Sequence, residues 1–123
     1  MKPRHVVDSS GWLEYLADSP RAKHFAAAIE DVDHLIVPVL SIYEVAKKVR
    51  RERGEHDAFE VAAVMQSGTV VDLDASLCLE AAFFDLPLAD SLIYATARRF
   101  NAILWTQDED FRGLDGVKFF KQT

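Results

Sequence analysis

Apolar positions along the chain fall into two kinds of run that alternate. Short stretches rich in valine, isoleucine and leucine occur at "HVVD" (5–8), "HLIVPV" (34–39), "TVVDL" (69–73), "AILWT" (102–106) and "VKFF" (117–120). Each is too short for a stable helix and reads as a strand. Between them, apolar residues are spaced three and four apart, as a helix face requires. This predicts helices over 11–17, 20–32, 41–53, 56–67, 75–85 and 88–100. The punctuation agrees. Pro20 suits a first helical position, Gly54 a helix end, and Pro87 a break between the last two helices. Strands alternating with helices predict an α/β domain with a mostly parallel sheet.

Length and composition narrow the class. A chain of 123 residues, half hydrophobic and 28% charged, fits one soluble globular domain spanning 1–123. The lone cysteine, Cys78, lies between leucines and is expected in the core, with no disulfide framework. "MKPRHVVDSS" is too weakly apolar for a signal peptide, and "LIVPVLSIY" is too short to cross a bilayer, so a cytoplasmic protein without a membrane partner is expected. The net charge of −6 argues weakly against a nucleic-acid partner. Yet "KKVRRER" (47–53) gathers five of the fourteen lysines and arginines, including Lys47, Lys48, Arg50 and Arg51.

Candidate chemistry lies in the acids. In an open parallel sheet, ligands bind at the carboxyl ends of strands. Asp8 ends the first strand, Asp108 follows the fourth, and Glu44 and Asp90 sit near helix starts. Each has a plain structural explanation. Asp8 is a helix N-cap candidate, although Ser9 and Ser10 compete for that job. Ser41 and Glu44 have capping-box spacing, and Glu44 can pair with Lys48 at i, i+4. Asp90 complements the dipole of a helix N-terminus, above an apolar face containing Ile93 and Ala97. In "TQDED", Thr106 and Glu109 form a second candidate box, beside Asp108 and Asp110. Together, however, these carboxylates would repel without a cation. Hard oxygen ligands favour Mg²⁺, with Mn²⁺ as the second choice. The four histidines show no zinc-site spacing.

The ordered set "VVDSS", "SIYEV", "LPLADSLIYATA" and "LWTQDEDF" resembles the PIN domain, and within it the VapC-type ribonuclease toxins of toxin–antitoxin pairs. The resemblance covers essentially the whole chain, and "LADSLIYATA" is its most distinctive piece. It implies a three-layer α/β/α sandwich. It also implies Asp8, Glu44, Asp90 and Asp108 as catalytic acids, with Asp8 and Asp90 the main metal ligands. Ser9 and Thr106 match its small hydroxyl positions, and the doubled "DED" leaves Asp110 as an alternative to Asp108. The implied reaction is Mg²⁺-dependent hydrolysis of an RNA phosphodiester, leaving a 5′-phosphate and a 3′-hydroxyl. The implied partners are a cognate antitoxin and a second copy of the chain. Trp12, Leu16, Phe83 and Phe84 supply apolar surface beyond what a small core needs. The basic run 47–53 reads either as an RNA approach or as a solvated helix face. The competing readings are a phospho-acceptor receiver-like signalling domain and a non-catalytic PIN-like binding module. The receiver is disfavoured because Ser9, not a second acid, follows Asp8, and no lysine ends the late strand.

Overall fold

The structure, a computed structural model, describes residues 2–122. Among these residues, five strands, β1 (His5–Val7), β2 (Ile36–Pro38), β3 (Thr69–Val71), β4 (Ile103–Thr106) and β5 (Val117–Phe119), alternate with six α-helices. These are α1 (Ser9–Leu16), α2 (Lys23–Ile29), α3 (Val39–Arg53), α4 (Glu55–Met65), α5 (Ala75–Ala81) and α6 (Leu88–Arg99). All strand pairs are parallel: β1 with β4, β4 with β5, and β2 with β3. A single parallel bridge between His5 and Leu35 joins the two groups, giving the order β3-β2-β1-β4-β5.

The sheet is covered on both faces, which is why its central strands read as continuous apolar runs. Val6 pairs with Leu104 and Val7 with Trp105. Because side chains alternate along a strand, these pairs face opposite ways. Val6, Ile36 and Leu104 pack with Ile93, Tyr94 and Ala97 of α6 and with Phe111. Val7, Val37 and Trp105 pack with Trp12, Phe25, Val45 and Met65, from α1, α2, α3 and α4. Leu77 and Ala81 seat α5 on α6 through Leu92 and Ala95. The result is the expected helix–sheet–helix sandwich.

Several local expectations give way to tertiary structure. Pro20 lies in a turn before α2, where the Arg21 and Ala22 amides donate to the Ser19 hydroxyl and carbonyl, so α2 starts only at Lys23. Helix α3 starts at Val39 with no side-chain cap, which leaves Ser41 buried inside its first turn and dissolves the Ser41–Glu44 box. Cys78 is exposed, because α5 turns Leu77 and Ala81 to α6 and the next position round the helix faces solvent. Trp12 is 1% exposed and belongs to the core, whereas Phe83 is 81% exposed. Among the described residues, no helix is long and apolar enough to cross a membrane.

Candidate active site

Chain direction reverses its march across the sheet between β1 and β4. Strands β1 to β3 run outward on one side and β4 and β5 on the other, so a crevice opens beyond the carboxyl ends of β1 and β4. Asp8 and Asp108 border that crevice.

Asp8 does two jobs that the residues alone kept separate. Its backbone caps α1, and its Oδ1 accepts the Gly11 amide at 2.9 Å. Ser9 and Ser10 do not replace it in that role; the Ser10 hydroxyl donates to Asp8 at 3.3 Å. Gly11 permits the close approach, since a Cβ there would meet Val7 Cγ1 at 2.7 Å and the Phe25 ring at 2.8 Å. Asp8 Oδ2 accepts the buried Thr106 hydroxyl at 2.6 Å. Thr106 Oγ1 in turn accepts the Asp108 amide at 2.9 Å. One hydroxyl thus ties the end of β1 to the turn after β4. This replaces the Thr106–Glu109 box: Asp108 caps the following 3₁₀ turn by accepting the Asp110 amide at 2.9 Å, and Glu109 faces Arg112 at 3.4 Å.

Glu44 reaches the crevice from α3, where its Oε1 accepts the Ser9 hydroxyl at 2.6 Å. It makes no ion pair with Lys48, which holds Glu52 at 3.0 Å instead. Asp90 enters from the first turn of α6. Carboxylate oxygens of Asp90, Asp108 and Asp110 lie within 4.8 Å of one another. Asp8, Ser9, Glu44, Asp90 and Asp108 line one cleft of about 320 Å³, with Lys48 on its wall. Asp110 touches the cluster through Asp90 from a more exposed position. Lys47, Lys48 and Arg51 line an adjoining groove, and Arg50 is exposed on the same helix.

Electrostatics make the cluster unusual. Among the described residues, none of Asp8, Glu44, Asp90, Asp108 and Asp110 makes an ion pair. Burial pushes the Asp8 carboxyl up to about 6, against the lowering effect of the Thr106 and Gly11 hydrogen bonds. Asp90 is pushed up to about 7, by burial first and then by the charges of Asp108, Asp110 and Asp8. Carboxyls whose proton affinity is raised by burial and crowding, in a set of hard oxygen donors, are a fit for a small divalent cation.

Gln107 was not singled out by its sequence context. It is buried between Thr106 and Asp108, accepts from Arg21 Nε, and donates to Glu14 at 2.9 Å. Arg21 also reaches the Phe120 carbonyl at 3.1 Å. This network anchors the turn that carries Asp108. A lone glutamine beside an acidic triplet carries no periodic or capping signal.

A PIN domain family profile matches residues 5–117. The chain belongs to the PIN domain family. That membership and the strand order β3-β2-β1-β4-β5 set aside a receiver-like domain, whose sheet runs 2-1-3-4-5. No curated protein matches the chain by sequence. The PIN fold here is similar to that of a toxin–antitoxin complex from Klebsiella pneumoniae, with TM-score 0.75 and 18% identity over 93% of this chain and 95% of that one. It is also similar to Mycobacterium tuberculosis VapC20, a sarcin-ricin loop cleaving toxin, with TM-score 0.74 and 21% identity over 92% and 96%. DNA-bound VapBC from Salmonella typhimurium matches with TM-score 0.70 and 10% identity over 97% and 98%.

Proposed function

We propose that this PIN domain is a metal-dependent endoribonuclease of the VapC toxin type, acting in the cytoplasm as a homodimer and held in check by a cognate antitoxin. The observation that carries the reading is the convergence of Asp8, Glu44, Asp90 and Asp108 on one cleft without an ion-paired cation among the described residues. The toxin–antitoxin context of the structural relatives supports the partner assignment.

Asp8, Asp90 and Asp108 would hold Mg²⁺ or Mn²⁺, with Glu44 and Asp110 completing the donor set. When bound, such an ion supplies Lewis acidity to water and to the phosphoryl oxygens. The chain's own contribution is preorganisation. Thr106 orients Asp8, and Ser9 orients Glu44, each through a 2.6 Å hydrogen bond. Gln107 holds the Asp108 turn. Asp8 and Asp90, whose proton affinity is raised, would have to be ionised to hold a cation, so its affinity should rise with pH. Lys48 stands on the cleft wall, where it can meet a phosphate oxygen.

The test is incubation of purified protein with cellular RNA in Mg²⁺ or EDTA, with Asp90→Asn alongside. Cleavage is expected only for the wild type with Mg²⁺. Full cleavage by Asp90→Asn would overturn the site assignment, and RNA binding without cleavage would mark a non-catalytic module.

A further inference from the structure

Helix α3 carries an aromatic side chain that the core does not use. Tyr43 is 57% exposed and belongs to none of the three buried clusters. It directly precedes Glu44, which faces the acidic cleft. Lys47 Nζ lies 3.1 Å from its hydroxyl and 5.4 Å from its ring centroid, so one cation steadies the ring. One turn further along, Arg51 makes no ion pair among the described residues. Tyr43, Glu44, Lys47, Lys48, Arg51 and Glu52 line a groove of about 320 Å³. It shares Glu44 and Lys48 with the acidic cleft, so the two adjoin.

We infer that Tyr43 is a base-stacking residue of this nuclease, its ring in the groove taking an unpaired base next to the phosphate that enters the acidic cleft. The inference rests on the nuclease reading and assigns its site a residue that positions a base. An exposed tyrosine flanked by cations offers what a single strand needs: a π-face for a base and positive charge for the backbone. The helical spacing agrees. Tyr43, Lys47 and Arg51 recur every four residues on one stripe, about 12 Å long at ~1.5 Å per residue. A duplex hides its base faces and would leave the platform idle. Phe59 and Phe83 are more exposed than Tyr43 but line neither the cleft nor this groove.

The probe is a mixed-sequence oligoribonucleotide carrying one 2-aminopurine, free or annealed to its complement. Binding is read in the Asp90→Asn background, so that cleavage does not consume the probe. The free strand should bind on the order of tenfold more tightly than the duplex, with quenched fluorescence. Tyr43→Ala should lose the quench and bind on the order of tenfold more weakly, while Tyr43→Trp keeps both. Lys47→Ala and Arg51→Ala should each lower the salt slope by about 1. Equal binding by Tyr43→Ala overturns the platform, as does a preference for duplex or no binding at all. A Tyr43→Ala variant that sediments differently but quenches normally makes Tyr43 a contact between copies and also overturns it. Cleavage by the otherwise wild-type chain judges the nuclease reading separately. Cleavage with KM unchanged in Tyr43→Ala sinks the platform alone, and stacking without cleavage sinks the nuclease alone.

Discussion

Strand β1 has a carboxylate site near each end, and the two are electrostatic opposites. At its start, Asp31 receives Lys2 at 3.0 Å, His5 at 3.1 Å and His34 at 3.0 Å. These partners, with the His34 hydrogen bond the largest influence, hold the Asp31 carboxyl well below its usual range. Past its other end, burial first, and neighbouring carboxylates after it, push the Asp8 and Asp90 carboxyls upward. The residue type is the same. What differs is whether the chain provides its own counter-charge. At Asp31 it does, with a structural tie between β1 and the segment before β2. At Asp8 it does not, and a buried acid without a partner is costly unless something from outside compensates it. The uncompensated end is therefore the functional candidate, because perturbed carboxyls in a cleft gather where chemistry is done.

Neutralising one aspartate at each end should break the comparison most sharply. Asp8→Asn keeps a good N-cap and removes an unfavourable charge. It should reduce RNA cleavage by on the order of 10³-fold or more, while the metal-free protein melts at the same temperature or higher. Asp31→Asn should do the reverse, leaving cleavage within about twofold and lowering the melting temperature by about a few degrees. Cleavage assays and thermal melts in EDTA check both variants. A destabilised Asp8→Asn with normal activity would remove the distinction.

The pH dependence should differ in sign. Asp8 titrates at about 6 in the folded chain against 3.8 ordinarily. The folded state therefore holds an extra proton in that window. Its stabilisation, about 3 kcal/mol at most, is present below pH 4 and lost as pH rises through 6. Asp90, half-buried and pushed up to about 7, extends the loss toward neutrality. The Asp31 contribution runs the other way, present above its ordinary value and lost as pH falls through the depressed one. Denaturant titrations of metal-free protein from pH 4 to 8 should show the first trend. Millimolar Mg²⁺ should flatten it, with weaker Mg²⁺ binding below pH 7. A metal-free stability that rises over this range would contradict it.

The smallest expected difference lies within the acidic end itself. Asp108 lines the cleft and caps the turn, whereas Asp110 is exposed and approaches through Asp90. Asp108→Asn should weaken Mg²⁺ binding roughly 100-fold and Asp110→Asn less than about tenfold. Isothermal titration with Mg²⁺ decides between them. Equal losses would make the two aspartates joint ligands.

Much of this molecule was legible before folding. The strands around His5–Val7, Ile103–Thr106 and Val117–Phe119 and the helix around Leu88–Arg99 lie where the apolar pattern places them, since burial on both faces leaves a continuous signal. Helix ends were less legible. The Ser41–Glu44 spacing imitates a cap, but the turn out of β2 starts α3 two residues earlier, and Ser41 is buried instead. Cys78 has apolar neighbours in sequence yet faces solvent, because only the seat of α5 on α6 decides which of its faces is covered.

The sequence by itself determined the alternation of elements, the parallel sheet this forces, and which residue types are available as ligands. Those follow from local periodicity and from acid chemistry. Tertiary structure alone decided that Asp8 is at once a cap and a site acid, that Thr106 binds it across 98 positions of sequence, and that Gln107 is buried beneath the Asp108 turn. It also placed the Lys2 ammonium and the His5 and His34 rings around Asp31 and left Asp8 and Asp90 without an ion pair among the described residues. Charge compensation depends on distances between segments far apart in the chain, and only packing of the helices on the sheet sets those distances.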